Sequence, residues 1–426
     1  MAPCVWGLRK CYGGVWGVSI IIVIFCGFLW LLAVVLLWMQ RQGVTVSAFV
    51  SCIFMGLAVW SGCAYFSATD ATGGRFLMYD ALFTTGVFSM SLMLKEAREA
   101  AAIVARQDVS NAIALAEELK AAPPRGAVTV GRGTSDHALG YLGYLLMHTR
   151  GMAVASLPPS LSSVLQTPWQ VQDYLALAAS QSGSPPDVIA MMQALAAGGA
   201  KTAALVNVVP SPLVNACQRT LPVQAGEEKS VAATKSFIAT VTLGLHLLAH
   251  WNDDHRLRDA LKQLPDKLER AASADWSAAV EALTPRERLF VVGRGTGLPV
   301  AQEAALKCKE TCQLQGEAFS AAEVRHGPMA IVHDAFPVLL FAPNDRYQAD
   351  ALQLAEQFAA RGAQVLLASD KKVTGTVHLP LIDAGHEALQ GLTGILSWYV
   401  AAAQLSEARG LNPDEPPYLQ KVTQTV

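Results

Sequence analysis

The sequence predicts two tandem α/β domains, each a doubly wound parallel sheet, behind an apolar leader. Three observations lead there. From residue 94 onward short apolar runs alternate with helical segments, the rhythm of parallel sheets covered by helices on both faces and joined by right-handed crossovers. The pentapeptide Val-Gly-Arg-Gly-Thr occurs twice, at 130–134 and 292–296, an internal duplication that divides this region in two. At 426 residues the chain has room for two or three domains.

Residues 1–89 form the leader. No charge falls between Lys10 and Arg41, or between Arg41 and Asp70, and about 20 apolar residues suffice to cross a bilayer. Residues 15–39 and 44–69 are therefore expected to be capable of a transmembrane hairpin turning at Arg41-Gln42-Gly43. Arg9 and Lys10 would favour a cytoplasmic N-terminus and an inner-membrane anchor. A signal peptide fits less well, because the first apolar run is too long and a second follows. The other reading is upstream sequence translated from an early start. It is favoured by the abrupt onset of charged, helix-forming sequence at Met90 and Met93, and it leaves the protein cytoplasmic and free of the membrane.

The first domain is expected over residues 94–251. Residues 94–121 are helical in pattern and rich in alanine. Residues 127–134 read as a buried strand running into a Gly-rich turn and a helix. Apolar runs at 152–157, 174–179, 202–206 and 220–223 are the remaining strands, and a long helix over 231–251 closes the unit. Residues 252–284 are charged and helical, a linker. The second domain, 285–410, opens as the first does, at 288–296. Strands follow at 337–341, 364–368 and 373–379, with a last helix over 387–407. Residues 411–426 are Pro-rich and irregular, a tail that is mobile unless it docks.

Net charge is −2 and only 15% of residues are charged, so nothing suggests a nucleic-acid-binding face. Five of the eight cysteines precede residue 64. Of the others, Cys308 and Cys312 stand at i, i+4 on a helix without a second Cys/His pair, so buried thiols are expected rather than a metal site.

Two turns look able to hold an anion. Ser180-Gln181-Ser182-Gly183-Ser184-Pro185-Pro186-Asp187 follows a strand. Ser184 suits an N-cap, Pro185 the first helical position and Asp187 a capping-box-like third position. Such a helix start offers free amides and the positive end of a dipole, with Ser180 and Ser182 adding hydroxyl donors at the carboxyl end of a strand. The turn Gly131-Arg132-Gly133-Thr134-Ser135 adds two more. Ser/Gly clusters are also ordinary turn chemistry, and neither loop has P-loop or dinucleotide-binding spacing. In the second domain residues 305–328, ALKCKETCQLQGEAFSAAEVRHGP, read as a helix and then a tight connection. Lys307 and Glu310 share a helix face there, and His326 follows on a loop. Ammonium, carboxylate and imidazole are the groups that move protons around a sugar carbonyl. Helical Lys/Glu pairs are also common on solvated faces, and Glu303 is an equally good partner for Lys307.

Taken together, the repeated Gly-Arg-Gly-Thr turns, the SQSG loop, the run EEKSVAATKSF (227–237) and ALKCKE…EVRHGP resemble the double sugar-isomerase (SIS) domain family. The resemblance spans residues 93–426. It is similar to the isomerase half of glucosamine-6-phosphate synthase and more so to stand-alone SIS-type glucosamine-6-phosphate deaminases. The synthase also needs a glutaminase domain, and Cys4 ahead of a leader of some 90 residues is not expected to supply one. The resemblance implies two tandem SIS domains with flavodoxin-like sheets. It implies a sugar phosphate held by Thr134, Ser135, Ser180, Gln181, Ser182 and the backbone around Val231 and Ala233, without metal or cofactor. Glu310 is implied to shuttle a proton between C1 and C2 with Lys307 beside it, and His326 to open the ring from the neighbouring subunit of a homodimer. Lys421 matches a tail lysine that can form an imine with the ketose, in a tail that closes the site. Two departures matter. Pro185 stands where the synthase has a phosphate-binding threonine, and Ala233 where it has a serine. The activity implied is deamination of glucosamine 6-phosphate to fructose 6-phosphate. The alternatives are another phosphosugar isomerase or deglycase, or a sugar-phosphate sensor. A sensor needs the serine cradle but not Lys307, Glu310, His326 and Lys421.

Overall fold

The computed structural model describes residues 90–421, and before them only an antiparallel pairing of Ala68–Thr69 with Arg75–Phe76. Apart from Ala68–Thr69, the two candidate membrane-crossing segments, 15–39 and 44–69, lie outside the described residues, as do residues 422–426. Among the described residues no helix is long and apolar enough to cross a membrane.

Helices α1 (Leu92–Arg106) and α2 (Ser110–Ala121) open this part of the chain, where the sequence suggests one helical stretch. Side chains fix the break. Gln107 Nε2 donates to the carbonyls of Val223 at 2.7 Å and Ala239 at 3.0 Å, and Asp108 Oδ1 accepts the Ser110 amide at 2.9 Å. The start of α1 is capped from the far end of the chain. Both carboxylate oxygens of Asp414 accept backbone amides, from Leu92 and Met93, at 2.7 Å each. Asp414 thus satisfies two of the helix's orphan donors and holds the tail in place.

The first sheet comprises β1 (Gly126–Val130), β2 (Val154–Ser156), β3 (Tyr174–Ser180), β4 (Lys201–Val206) and β5 (Arg219–Pro222). Its order is β2-β1-β3-β4-β5 and every pairing is parallel. It is threaded by α3 (Thr134–Arg150), α4 (Ser160–Ser163), α5 (Pro186–Ala197) and α6 (Pro212–Ala216), and followed by α7 (Lys235–Trp251). Helix α7 begins four residues later than its sequence suggests. Glu228 turns the chain there, its carboxylate accepting the Thr234 and Ser236 amides at 2.9 and 3.2 Å. Helices α8 (His255–Ala272) and α9 (Ser277–Leu283) lead to the second sheet.

That sheet comprises β6 (Arg288–Gly293), β7 (Gln315–Ser320), β8 (Pro337–Ala342), β9 (Gln364–Ser369) and β10 (Val377–Pro380). Its order, β7-β6-β8-β9-β10, repeats that of the first, again wholly parallel. Helices α10 (Gly297–Cys312), α11 (Gln348–Ala360) and α12 (Gln390–Ala408) complete it. Strand β7 corrects the expectation of a plain connection after α10. Gln-Gly-Glu-Ala-Phe-Ser lacks the β-branched run that marks a strand, and it needs none at a sheet edge. Gly316 lets the strand lie on the preceding helix, since a Cβ there would meet Ala305 Cα at 3.0 Å and its oxygen at 3.1 Å.

The inner faces of both sheets share one core with α3, α7, α10 and α12, in which Tyr141, Phe237, Trp251, Trp398 and Tyr399 are buried. Helices α5 and α11 cover the outer faces. Each large side chain buried contributes about 1.5–3 kcal/mol, so the core joins the two sheets as firmly as it builds either. Helix α3 packs directly on α10, which sets the first domain's Gly-Arg-Gly-Thr turn against the second domain's Lys/Glu helix.

Candidate active site

Strand order reverses between β1 and β3, the place where doubly wound sheets hold ligands outside their carboxyl ends. Both Ser/Gly turns lie there. The Ser135 hydroxyl and the Gln181 side chain have no partner among the described residues. Ser180 is buried and its Oγ accepts the Gly183 amide at 2.9 Å; Ser182 Oγ accepts the Ser184 amide at 3.3 Å. Each hydroxyl keeps its own proton to donate. Gly183 is required, with φ at +65° and Ser211 Oγ only 2.1 Å from where a Cβ would sit.

Helix α5 starts one residue later than the sequence suggests, with Pro185 as N-cap and Pro186 at the first helical position. Asp187 is consequently not a capping-box residue. It is fully buried and accepts from Arg132 Nε at 3.0 Å, Arg132 Nη2 at 2.6 Å and the Val188 amide at 2.8 Å. These charge-assisted bonds tie the Gly-Arg-Gly-Thr turn to the helix start that follows the SQSG turn. The duplicated turn repeats the device, with Arg294 Nη1 on Asp350 Oδ2 at 2.5 Å.

The groups able to move protons converge on α10. The Lys307 ammonium is fully buried. It lies 2.5 Å from Glu310 Oε2, 3.0 Å from Thr134 Oγ1 and 3.3 Å from Glu303 Oε1. Glu303, also fully buried, accepts from His137 Nδ1 at 2.8 Å, Tyr399 Oη at 3.0 Å and Thr134 Oγ1 at 3.1 Å. Burial alone would raise the Glu303 carboxyl, but Lys307, His137 and Tyr399 together hold it below the usual carboxylate value. Burial would likewise neutralise Lys307, yet the two carboxylates push its pKa up to about 12. The Tyr399 phenol is driven well above its ordinary value by burial and by the neighbouring Glu303, so it stays a donor. Glu310 is the member with access, its side chain 23% exposed against 0% for Lys307 and Glu303.

The remaining residues singled out in the sequence are placed differently. His326 ends a short 3₁₀ turn (Glu323–His326), is exposed, and makes no hydrogen bond or ion pair among the described residues. Its neighbour Arg325 anchors the turn, bonding the Ala321 carbonyl at 2.9 Å and Asp350 Oδ1 at 3.1 Å. Lys421 Nζ donates to the Ser230 carbonyl at 2.7 Å and lies 3.4 Å from the buried Glu228. Glu303, Glu228 and Glu310 all act on the Tyr399 phenol, which puts the tail lysine's anchor in the same electrostatic neighbourhood as α10. The Val231 amide donates to the Asp414 carbonyl at 3.3 Å. That amide is therefore engaged within the chain, and Ala233 offers no side-chain donor.

Sequence reading missed His137, Tyr399 and the Arg132–Asp187 strut. The i, i+4 spacing of Glu303 and Lys307 was visible, but their partners lie 166 and 96 residues from Glu303, beyond any local pattern. No group of three or more His, Cys, Asp or Glu suited to a metal occurs among the described residues. Cys308 and Cys312 are both buried, and burial raises both thiols.

A profile described as the SIS domain matches residues 122–250 and 282–405. The chain belongs to the SIS domain family. Among curated SIS relatives, the isomerizing glutamine–fructose-6-phosphate aminotransferase of Pyrobaculum aerophilum is 33% identical over 315 residues, covering 70% of this chain and 51% of its own length. That of Thermococcus kodakarensis is 30% identical over 315 residues, covering 69% and 51%. The chain thus spans about half the length of the curated relatives it matches. A solved protein of Silicibacter pomeroyi, described as a phosphosugar isomerase, is 40% identical with a TM-score of 0.73, over 76% of this chain and all of that one. The glucosamine-6-phosphate deaminase of Thermotoga maritima, at 20% identity and a TM-score of 0.63 over 79% of this chain and all of that one, shares the fold.

Proposed function

We propose that this SIS-family chain is an isomerising glucosamine-6-phosphate deaminase. The observation that carries the proposal is the buried Lys307 ammonium, held by Glu303 and Thr134 and presented to the partly exposed Glu310 directly beside a hydroxyl-rich turn. Buried charge clusters are costly to form and concentrate at sites that do chemistry, which weighs against the sensor. The names of the similar proteins, an amino-transferring isomerase and phosphosugar isomerases, support chemistry at C1 and C2 of a hexose phosphate.

In this reading the phosphate dianion is held by the hydroxyls of Thr134, Ser135, Ser180 and Ser182 and the Gln181 amide. Anchoring the far end of the sugar positions C1 and C2 at little cost to the reacting centre. His326 of a second subunit opens the ring. A histidine that is exposed and unpartnered in its own chain fits delivery to a neighbour's site, and a homodimer then follows. Glu310 takes the C2 proton of the open-chain amino aldose, and the electron pair forms an enaminol across C1 and C2. Returning the proton to C1 yields a 2-imino ketose. Water adds at C2 and ammonia leaves, giving fructose 6-phosphate. Lys307, 2.5 Å from Glu310 Oε2, offers a proton to the oxygen at C1 as the enaminol forms and takes one back from nitrogen as the imine forms. Lys421, its tail docked by Asp414, lies within the cluster's field and can exchange with the imine.

A coupled assay for ammonia and fructose 6-phosphate from glucosamine 6-phosphate tests the proposal. Equimolar release of both supports it. Isomerisation of another hexose phosphate with no ammonia from glucosamine 6-phosphate would leave the family chemistry standing and refute the deaminase.

A further inference from the structure

The duplication that builds the proposed active site also builds a second cleft. The first is made of a turn threonine, the loop after the third strand of its sheet, and a helix supplied by the other domain. The equivalent parts of the second domain line a cleft of 210 Å³: Thr296, the loop residues Asp345, Arg346 and Tyr347 after β8, and Tyr144, Leu145 and His148 on α3. Counting from each turn threonine, Leu145 takes the place of Lys307 and His148 that of Glu310. At about 30 Å³ per water in the liquid, the space holds roughly seven waters, the scale of one six-carbon sugar.

Its chemistry differs from that of the first site in two ways. There is no buried Lys–Glu pair, so the proton transfer proposed for Glu310 has no counterpart. The serine cradle is also gone. Three carboxylates, Asp254, Asp345 and Glu387, face one guanidinium and two imidazoles. Arg346 is bound to Glu387 at 2.9 and 2.5 Å, His148 Nε2 lies 4.0 Å from Glu387 and His386 Nε2 3.9 Å from Asp254. With carboxylates outnumbering the guanidinium three to one, a phosphate dianion is disfavoured here. An ammonium is not. Tyr144 and Tyr347, joined hydroxyl to hydroxyl at 2.5 Å, provide flat apolar faces with polar edges, which suit a sugar ring.

We propose that this cleft is a second, non-catalytic site for an unphosphorylated amino sugar, its ammonium on Asp254 and Asp345 and its ring along Tyr144 and Tyr347. The cleft stands on its own geometry, so loss of the deaminase reading would not remove it.

Calorimetric titration of the full chain with glucosamine, glucose and glucose 6-phosphate tests this, with hydrogen exchange locating the bound sugar. Glucosamine should bind at least tenfold tighter than glucose and should protect peptides covering residues 144–149 and 345–347. Asp254 Oδ1 caps α8 through the Leu257 amide at 3.0 Å, and Asp345 Oδ1 accepts the Tyr347 amide at 2.8 Å. An Asn oxygen can take over both bonds. The double variant Asp254→Asn/Asp345→Asn should therefore fold, lose glucosamine affinity tenfold or more and keep its glucose affinity. Absence of glucosamine binding, protection confined to residues 180–183, tighter binding of glucose 6-phosphate in this cleft, or unchanged affinity in the double variant would each overturn the proposal. If that variant does not fold, the exchange pattern of the wild-type chain decides alone.

Discussion

Replacing Glu310 with Gln separates catalysis from stability. Lys307 is held by three groups, Glu310 at 2.5 Å, Thr134 at 3.0 Å and Glu303 at 3.3 Å. The variant keeps the last two, and its amide oxygen still accepts from the ammonium. What is lost is the difference between a bond to a charged group, about 1.5–3 kcal/mol, and a neutral one, about 0.5–1.5 kcal/mol. That is about 1 kcal/mol, or roughly 1 °C in Tm for a chain of 426 residues. Turnover loses its base and should fall by about 10²–10⁴, with KM nearly unchanged because the phosphate turns are untouched. Lys307→Met provides the contrast. It strips the cation from a fully buried Glu303, which costs about 3–5 kcal/mol, so its Tm should fall several times further. Thermal melts alongside the ammonia-coupled assay read both quantities. The reasoning fails if Glu310→Gln keeps more than a tenth of wild-type turnover, or if it melts as low as Lys307→Met.

Four further outcomes are expected. Ser180→Ala with Ser182→Ala should raise KM for the sugar phosphate by about 1.5–3 kcal/mol per lost bond to the dianion; a collapsed Tm at unchanged KM would make them turn residues only. Asp414→Ala removes the cap on α1 and should cost about 0.5–2 kcal/mol, seen as a lower Tm and faster amide exchange at Leu92 and Met93. Burial lowers the His246 pKa from 6.5 to about 4. The unfolded chain therefore binds a proton that the folded chain resists, and the stability concerned is present above pH 6.5 and lost as pH falls towards 4. His246→Gln should flatten the denaturation midpoint across that window, and an unchanged slope would place the acid sensitivity elsewhere. Mixing inactive Glu310→Gln and His326→Ala subunits should restore about a quarter of sites if His326 serves its neighbour, since half of freely exchanged dimers are hybrids with one intact site each; no recovery despite exchange would return His326 to its own subunit.

Much of this molecule was legible one residue at a time. The apolar runs and the repeated Val-Gly-Arg-Gly-Thr implied two parallel sheets, because period and turn chemistry act within a few residues. Both sheets have the same strand order. Elements held by distant partners were misread. The break at residues 107–109 depends on carbonyls of Val223 and Ala239, and β7 exists because β6 gives it an edge to pair with. The start of α5 slipped by one residue because Asp187 is drawn to Arg132 rather than to its own helix end.

The candidate site divides along the same line. By itself the sequence determined which residue types stand in each turn and that Glu303, Lys307 and Glu310 share a helix face, since these follow from spacing along one backbone. Only the tertiary structure decided which of them are buried and charged. Packing α3 on α10 brings Thr134 and His137 onto Glu303, and α12 adds Tyr399. That enclosure turns a helical ion pair of a kind common on solvated surfaces into an ammonium held at a pKa of about 12. The physical reason is that burial and charge pairing depend on what surrounds a side chain in space, and those surroundings come from segments 96 to 169 residues away in the chain.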